Sequence, residues 1–466
     1  MAGCGSAPPQ NSAPPPGGTA QVGTDRPAFR SIYQELVETN TTASAGDCTL
    51  AAQRMADRLK KAGYPDDQLN VYVPPDHPKE GGLIATLPGT DPSQKAVLLL
   101  AHIDVVEAKA EDWGRDPFKL AEDAEYFTAR GSNDDKAMAA IWVDSLVRYR
   151  VEGFQPKRTI KVALTCGEEG SHQLNGVQWL LANHRDWVDA AFAVNEGADG
   201  ALDAQNNRVF LEIQAGEKVY QDFTLQVTDP GGHSSQPRPE NAIQTLAAAL
   251  GRISINAFPV ALNDVTKAYF AQRADLTGGD LGAAMKALVA NPGDAAAAGK
   301  LATDPLYNGT MRTTCVVTML NAGHAPNALP QLAKANVNCR ILPGTPGPEI
   351  QQALVNAIND PRVNVSPAEP FETAAPLPTL SDEILAPVRD VSGRLWPGVP
   401  LLPTMALGAT DGRFLNAAGI PTYGLSGTFF KPGDNHDHGL NEHISVRSLY
   451  EARDFLYDVV KRYANP

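Results

Sequence analysis

Apolar positions along the chain change period several times, and those changes outline its elements. Residues 27–38 carry a helical pattern. Residues 49–62 repeat it, with Met55, Leu59 and Ala62 spaced for one face and Gly63 as the stop. Strand-like runs follow at 69–73 and 83–87. Three more runs, 96–101, 159–164 and 190–194, are apolar throughout, as expected of strands covered on both faces. Helical patterns at 135–149 and 175–183 lie between them. This alternation predicts an α/β domain with a mixed, mainly parallel sheet flanked by helices.

Near Ala215 the texture changes. Residues 220–228 alternate apolar and polar side chains, and the turn Asp229-Pro230-Gly231-Gly232 follows. A helical stretch at 239–250 comes next. Residues 260–305, rich in Ala, Gly and Asp, read as a helical insertion on the periphery. Strands at 313–320 and 335–341, a helix at 348–358 and a strand at 363–365 complete the block. Helices mixed with antiparallel strands predict a small α+β domain over 215–372, inserted into a first domain made of 26–214 and 373–466. No internal repeat is visible.

Length and composition agree with this division. At roughly 150 residues per domain, 466 residues suit two or three domains. A hydrophobic fraction of 43% and a charged fraction of 20% are those of a globular protein. The net charge of −14 and the lack of a basic stripe argue against a nucleic-acid partner. No apolar run is long enough for a transmembrane helix.

Residues 1–25, dense in Pro, Gly, Ala and Ser, read as a flexible tether. Ala2-Gly3-Cys4 resembles the end of a bacterial lipoprotein signal, in which the cysteine is acylated, but the hydrophobic stretch that should precede it is missing. Two readings stand. Either the chain begins late and a lipid on Cys4 tethers the protein to the membrane of the cell envelope, or Cys4 is incidental and the protein is cytoplasmic. Cys48, Cys166, Cys315 and Cys339 show no metal-ligand spacing and read as small core residues. Cys315 and Cys339 lie in two β-like runs and would pair if those strands are neighbours.

The candidate chemistry sits just beyond strand ends, where open α/β sheets form their sites. His102 and Asp104 flank Ile103 after the run ending at Ala101. Residues i and i+2 of an extended segment face one side, so one can bind a metal while the other orients it. Asp134 and Asp135 lie at a helix start, where either could be a plain cap. Glu168 and Glu169 are flanked by Gly167 and Gly170. Adjacent carboxylates repel unless a cation sits between them or one holds a proton. One of them can bind metal while the other faces a metal-bound water as general base. Glu196 follows the run ending at Val194, and His436-Asp437-His438-Gly439-Leu440-Asn441-Glu442 gathers histidines and carboxylates near the chain end. Two His, one Asp and two Glu form a mixed N/O set suited to zinc, with Co2+ or Mn2+ as substitutes. That set exceeds the need of one catalytic zinc. A bridged pair about 3.5 Å apart fits better.

The order HxD, GxxDxK, GEEG, NEG, GHSS and HxxNE resembles the M20 family of metallopeptidases, the carboxypeptidase, dipeptidase, aminoacylase and succinyl-diaminopimelate desuccinylase group. The resemblance spans about residue 27 to 466. It implies two Zn2+ ions: His102 and Glu196 on one, Glu169 and His438 on the other, and Asp134 bridging them ahead of a cis bond to Asp135. It implies that Asp104 orients His102 and that Glu168 is the general base. The inserted block would be the family's lid or dimerisation domain. Its His233, in Gly232-His233-Ser234-Ser235, would reach the active site of a partner subunit and steady the oxyanion. Asn327 and Arg340 match an Asn…Pro…Arg pattern in which arginine grips a substrate carboxylate. Gly408 and Thr410 match a substrate-binding loop, and Gly424-Leu425-Ser426-Gly427 lines the same cleft. Where the family commonly has glycine after the lysine of GxxDxK, this chain has Ala137, which removes no ligand. The stretch 260–305 exceeds that of compact members, which leaves lid geometry open. The implied activity is hydrolysis of a peptide bond beside a free carboxylate, as a dipeptidase or carboxypeptidase. The other open reading is an N-acyl amino acid amidohydrolase on the same scaffold. A tethered peptide binder that does not hydrolyse is a third, which the presence of Glu168 with every ligand disfavours.

Overall fold

The computed structural model describes residues 22–170, 172, 174–372, 375–434 and 436–466. Most of the predicted tether, including Cys4, lies outside them. No helix among the described residues is long and apolar enough to cross a membrane.

The strand Val97–His102 shows how sequence becomes architecture. Val97, Leu99 and Ala101 join the core on one face of a large sheet, while Leu98 and Leu100 join the core on the other. An unbroken apolar run is what such a strand needs. The predicted runs became Ile160–Thr165, Val97–His102 and Phe192–Asn195, neighbours in parallel register, with Thr422–Gly424 added parallel to the last. Leu69–Tyr72 and Gly82–Leu87 continue the sheet antiparallel on one side. On the other, Arg208–Glu217 is antiparallel to Thr422–Gly424 and parallel to Leu401–Ala406. Among the described residues the sheet has 10 strands and is mixed, with a parallel centre. His102, Thr165, Asn195 and Gly424 mark one edge, where the parallel strands end together.

Helices Arg26–Val37, Cys48–Lys61, Lys136–Glu152 and Val446–Tyr463 cover one face, with Tyr33, Met55, Trp142 and Phe455 buried in one core. Gly176–Asn183 and Gly412–Ala417 cover the other, over Leu98, Leu100 and Leu180. Asp25 caps the first helix and Asp47 the second, each accepting a backbone N–H of the first turn.

The middle of the chain builds a separate four-stranded antiparallel sheet, in the order Thr314–Ala322, Leu332–Ile341, Val219–Thr228, Asn364–Pro367. Helices Ala242–Ile255 and Gly347–Ile358 share its core through Leu246, Ile253, Ile350 and Leu354. The first of these begins later than its apolar pattern predicts, because Asn241 accepts from the N–H groups of Ile243 and Gln244 and fixes the start there. The Ala-rich stretch forms four helices, Asp264–Thr277, Gly279–Ala290, Ala295–Leu301 and Pro305–Met311, around Phe270, Met285 and Leu301. The first of them packs on Leu401–Ala406 of the large sheet.

Two disulfides are present among the described residues. Cys315 and Cys339 stand directly opposite each other in adjacent strands and are bonded, their Cα atoms 4.0 Å apart. Cys48 and Cys166 are core residues, as read, but they are also bonded to each other. That bond ties the first residue of a helix to the residue after Ile160–Thr165, across a sequence separation of 118. A crosslink over so long a loop removes much entropy from the unfolded chain. Replacing both Cys48 and Cys166 by Ala should therefore lower unfolding free energy by about 2–5 kcal/mol, read from the denaturant midpoint in non-reducing buffer. An unchanged midpoint would show that the bond contributes nothing to stability.

Candidate active site

The site is assembled at the edge where the parallel strands end. His102, the last residue of Val97–His102, is 2% exposed. Its Nδ1–H donates to the backbone carbonyl of Asp104 at 3.1 Å. Because a carbonyl can only accept, that bond keeps the proton on Nδ1 and leaves the Nε2 lone pair for a ligand. Nε2 lies 3.0 Å from Oδ1 of Asp134, 3.8 Å from Glu196 and 4.0 Å from Glu168.

On the opposite side of Asp134, Oδ2 is 3.0 Å from Nε2 of His438, which is also 3.0 Å from Glu169. One oxygen of Asp134 thus serves each histidine. The ligand atoms of His102, Asp134 and Glu169 lie within 4.8 Å of one another, and so do those of His102, Glu168 and Glu196. Cys48, Cys166 and His172 also cluster, but the disulfide occupies both sulfurs.

Such crowding has an electrostatic cost. Burial, then the carboxylate of Glu196, push the Glu168 carboxyl up to about 10. Burial opposes charge on His102, yet Glu196, Asp104 and Asp134 hold its pKa well above the usual value. Burial also raises Asp134, but bonds from His102 and His438 outweigh it and hold the carboxyl low. Cations between these groups would turn the repulsion into attraction. Imidazole nitrogens and carboxylate oxygens facing one another across Asp134 suit a pair of zinc-like ions.

Asp104 has a larger task than orienting a ring. Its carboxylate is 3.6 Å from His102 Nδ1, because the carbonyl takes that bond. The carboxylate instead accepts from the backbone N–H groups of Glu168, at 3.4 Å, and Glu169, at 3.2 Å. It is fully buried and thereby fixes the Gly167–Gly170 turn.

Glu442 does the same for Asp134, a role that sequence reasoning missed although the residue closes the HxxNE pattern. Its carboxylate accepts from the N–H groups of Gly131, Asn133 and Asp134 at 2.9, 2.9 and 3.1 Å. It pairs with Arg130 at 2.8 Å, both side chains nearly inaccessible. Arg130 also donates to the carbonyls of Gly439 and His438. A second residue without a signal of its own is Glu217, which accepts from the N–H of Thr410 at 2.6 Å. Burial pushes the Glu217 carboxyl up to about 8.

The structure therefore brings His102, Asp104, Asp134, Glu168, Glu169, Glu196 and His438 together, and the Asp134–Asp135 bond is cis. In the Gly408–Thr410 loop, Thr410 Oγ1 accepts from the side chain of Asn195, the residue before Glu196, at 3.0 Å. The lid residues stand apart. His233 pairs with Ala328 in a two-stranded ribbon next to Asn327, and its Nδ1 bonds to Ser235. Arg340 lies on the lid sheet opposite Tyr220, its guanidinium 4.7 Å from that ring.

Residues 98–462 match the model of peptidase family M20/M25/M40. The chain belongs to that family, and it is an enzyme of the peptidase and amidohydrolase class. It is 28% identical over 449 residues to N-fatty-acyl-amino acid synthase/hydrolase PM20D1 of Homo sapiens, covering 94% of this chain and 88% of that protein. Its fold is shared with the M20 family metallo-carboxypeptidase Sso-CP2 of Sulfolobus solfataricus, at TM-score 0.68 and 16% identity, covering 94% of this chain and 99% of the other. It is likewise shared with Bacillus subtilis YXEP, a dinuclear metal binding peptidase, at TM-score 0.55 and 13% identity, covering 93% and 96%.

Removing Glu442 would strand Arg130 in the interior and free the loop of Asp134. Glu442→Ala should cost about 3–5 kcal/mol of stability and lower metal content in zinc-loaded protein, measured by urea unfolding and elemental analysis. Wild-type values in both would exclude the positioning role.

Proposed function

We propose that this enzyme hydrolyses an amide bond beside a free carboxylate, with two zinc ions held by His102 and Glu196 on one side, Glu169 and His438 on the other, and Asp134 between them. The observation that carries the reading is the split of Asp134, one carboxylate oxygen at 3.0 Å from each histidine. When bound, the metal pair polarises the amide carbonyl and makes water a nucleophile near neutral pH.

The protein's own groups do the rest. Glu168 takes the proton of the attacking water and hands it to the leaving amine. Asp104 aims Glu168 and Glu169 through their backbone N–H groups. Glu442 and Arg130 hold Asp134 and the His438 loop in one frame. Arg340 would pair with the substrate carboxylate, helped by the backbone of Gly408 and Thr410.

Peptides are the first substrate class, acted on by a dipeptidase or carboxypeptidase activity. N-acyl amino acids are the second, favoured by the likeness to the fatty-acyl-amino acid hydrolase. Incubating zinc-loaded protein with dipeptides, longer peptides and N-acyl amino acids, with and without chelator, separates the two. Chelator-sensitive cleavage of one class names the substrate. No cleavage of any by protein holding two metals would sink the reading.

Glu168→Ala should keep both metals and lose about 10²–10⁴-fold in kcat; full turnover would remove Glu168 from its role. We also propose that the chain dimerises through the lid. The edge strand Thr314–Ala322 exposes Val316, Met319 and Leu320, with Met319 71% accessible. Unpaired apolar edges invite another strand. Light scattering should give twice the chain mass, and His233→Ala mixed with Glu168→Ala should regain activity above either alone. A monomer, or a mixture as inactive as its parts, would contradict a site shared between subunits.

A further inference from the structure

Where helices Arg26–Val37 and Val446–Tyr463 begin lies a cavity of about 620 Å³ whose charged lining is mostly cationic. Arg26, Arg208, Lys431 and Arg447 stand there against Glu125 and Glu451, four cations to two carboxylates. The chain as a whole has a net charge of −14, so this patch runs against the sign of the molecule. None of the proposed metal ligands or catalytic groups lines it.

The pairing inside the cavity leaves positive charge over. Glu451 serves two arginines, Arg208 and, at 2.9 Å, Arg447. Neither Arg26 nor Lys431 has an ion pair among the described residues, and the Arg26 guanidinium lies over the Tyr450 ring, 4.8 Å from its centre. Nε of Arg208 is buried without a hydrogen-bond partner. A buried donor left in that state is costly. Asp25 and Asp434 do not line the cavity: the first caps its helix, and the second accepts from the Tyr126 hydroxyl at 3.1 Å.

The backbone adds to the same sign. Arg26 is the first residue of a 12-residue helix, and Val446, Arg447 and Ser448 open one of 18 residues. Both helices therefore begin at the cavity wall, where the partial positive charge of a helix start favours an anion.

We infer that this cavity binds a phosphate monoester, with the phosphate among Arg26, Arg208, Lys431 and Arg447 and the organic part against Tyr126, Tyr450 and Phe429. Three features select that class. The surplus of two positive charges matches a group that carries about −1.5 to −2 at pH 7. Arginine forks bond phosphate oxygens two at a time. The volume lies within the range of about 300–1,000 Å³ usual for small-ligand sites, and the aromatic side chains offer cover to more than a bare ion. Arg26 and Arg447 are exposed, so the ligand enters from solvent.

The test is calorimetric titration of phenyl phosphate into zinc-loaded full-length protein. Binding of one equivalent per chain is expected. Arg26→Gln combined with Lys431→Gln removes the two unpaired charges and should weaken it by about tenfold or more, with zinc content and the urea midpoint unchanged. Sedimentation with phosphatidylcholine vesicles, with and without phosphatidic acid, separates the sources. Binding of phenyl phosphate assigns a soluble ester. Sedimentation with phosphatidic acid alone, lost in the double variant, assigns the same chemistry on a lipid head group. Binding of neither overturns the site. So does phenyl phosphate binding that the double variant keeps at full strength, and its loss on adding chelator would place the anion on zinc instead.

Discussion

Everything at the functional edge of this protein answers to one constraint: carboxylates have been brought within a few ångströms of each other away from bulk water. Left alone, Asp134, Glu168, Glu169 and Glu196 would repel strongly in such surroundings. The fold withstands this because the groups sit on short turns that follow buried strands, and those turns are themselves tied down. The β-strands supply rigidity, and the turns supply direction. The cations that the site is suited to hold convert the assembled repulsion into binding.

The ties are made by other acids acting as acceptors. Asp104 takes two backbone N–H groups of the Glu168 turn, and Glu442 takes three of the Asp134 turn together with Arg130. Charge-assisted bonds of this kind are about twice as strong as neutral ones. The turns of Glu168, Glu169 and Asp134 are thus held through the main chain, which leaves their side-chain oxygens facing the two histidines. The Arg130–Glu442 pair also joins two loops 312 residues apart in sequence.

Much of this could be read in advance, and the limits are physical. The doubly buried strands were legible because runs such as Val97–Ala101 have no polar face to confuse their period. The seven clustered site residues were legible because each follows such a run or belongs to a compact motif. Arg208–Glu217 and Leu401–Ala406 were not assigned. The first adjoins the change of texture near Ala215, and the second opens among prolines, Pro397, Pro400 and Pro403, that mask a strand pattern. The closing helix Val446–Tyr463 has Leu449, Ala452, Leu456 and Tyr463 buried at helical spacing, a pattern visible in the sequence though not assigned from it. Glu442 and Glu217 act through backbone groups distant in sequence, and no local pattern announces that. Cys48 and Cys166 show the same limit, since pairing is a property of the fold and not of spacing.

Consecutive residues at the start of the lid face opposite ways. Glu217 ends a strand of the large sheet and grips the N–H of Thr410, while Lys218 reaches back to the carbonyl of Arg312 at 2.6 Å, at the root of the lid's edge strand. Both are buried, and burial brings Lys218 down to about 7. The two contacts are made by adjacent residues, so one short stretch of main chain ties the Thr410 loop of the large sheet's domain to the root of the lid's edge strand.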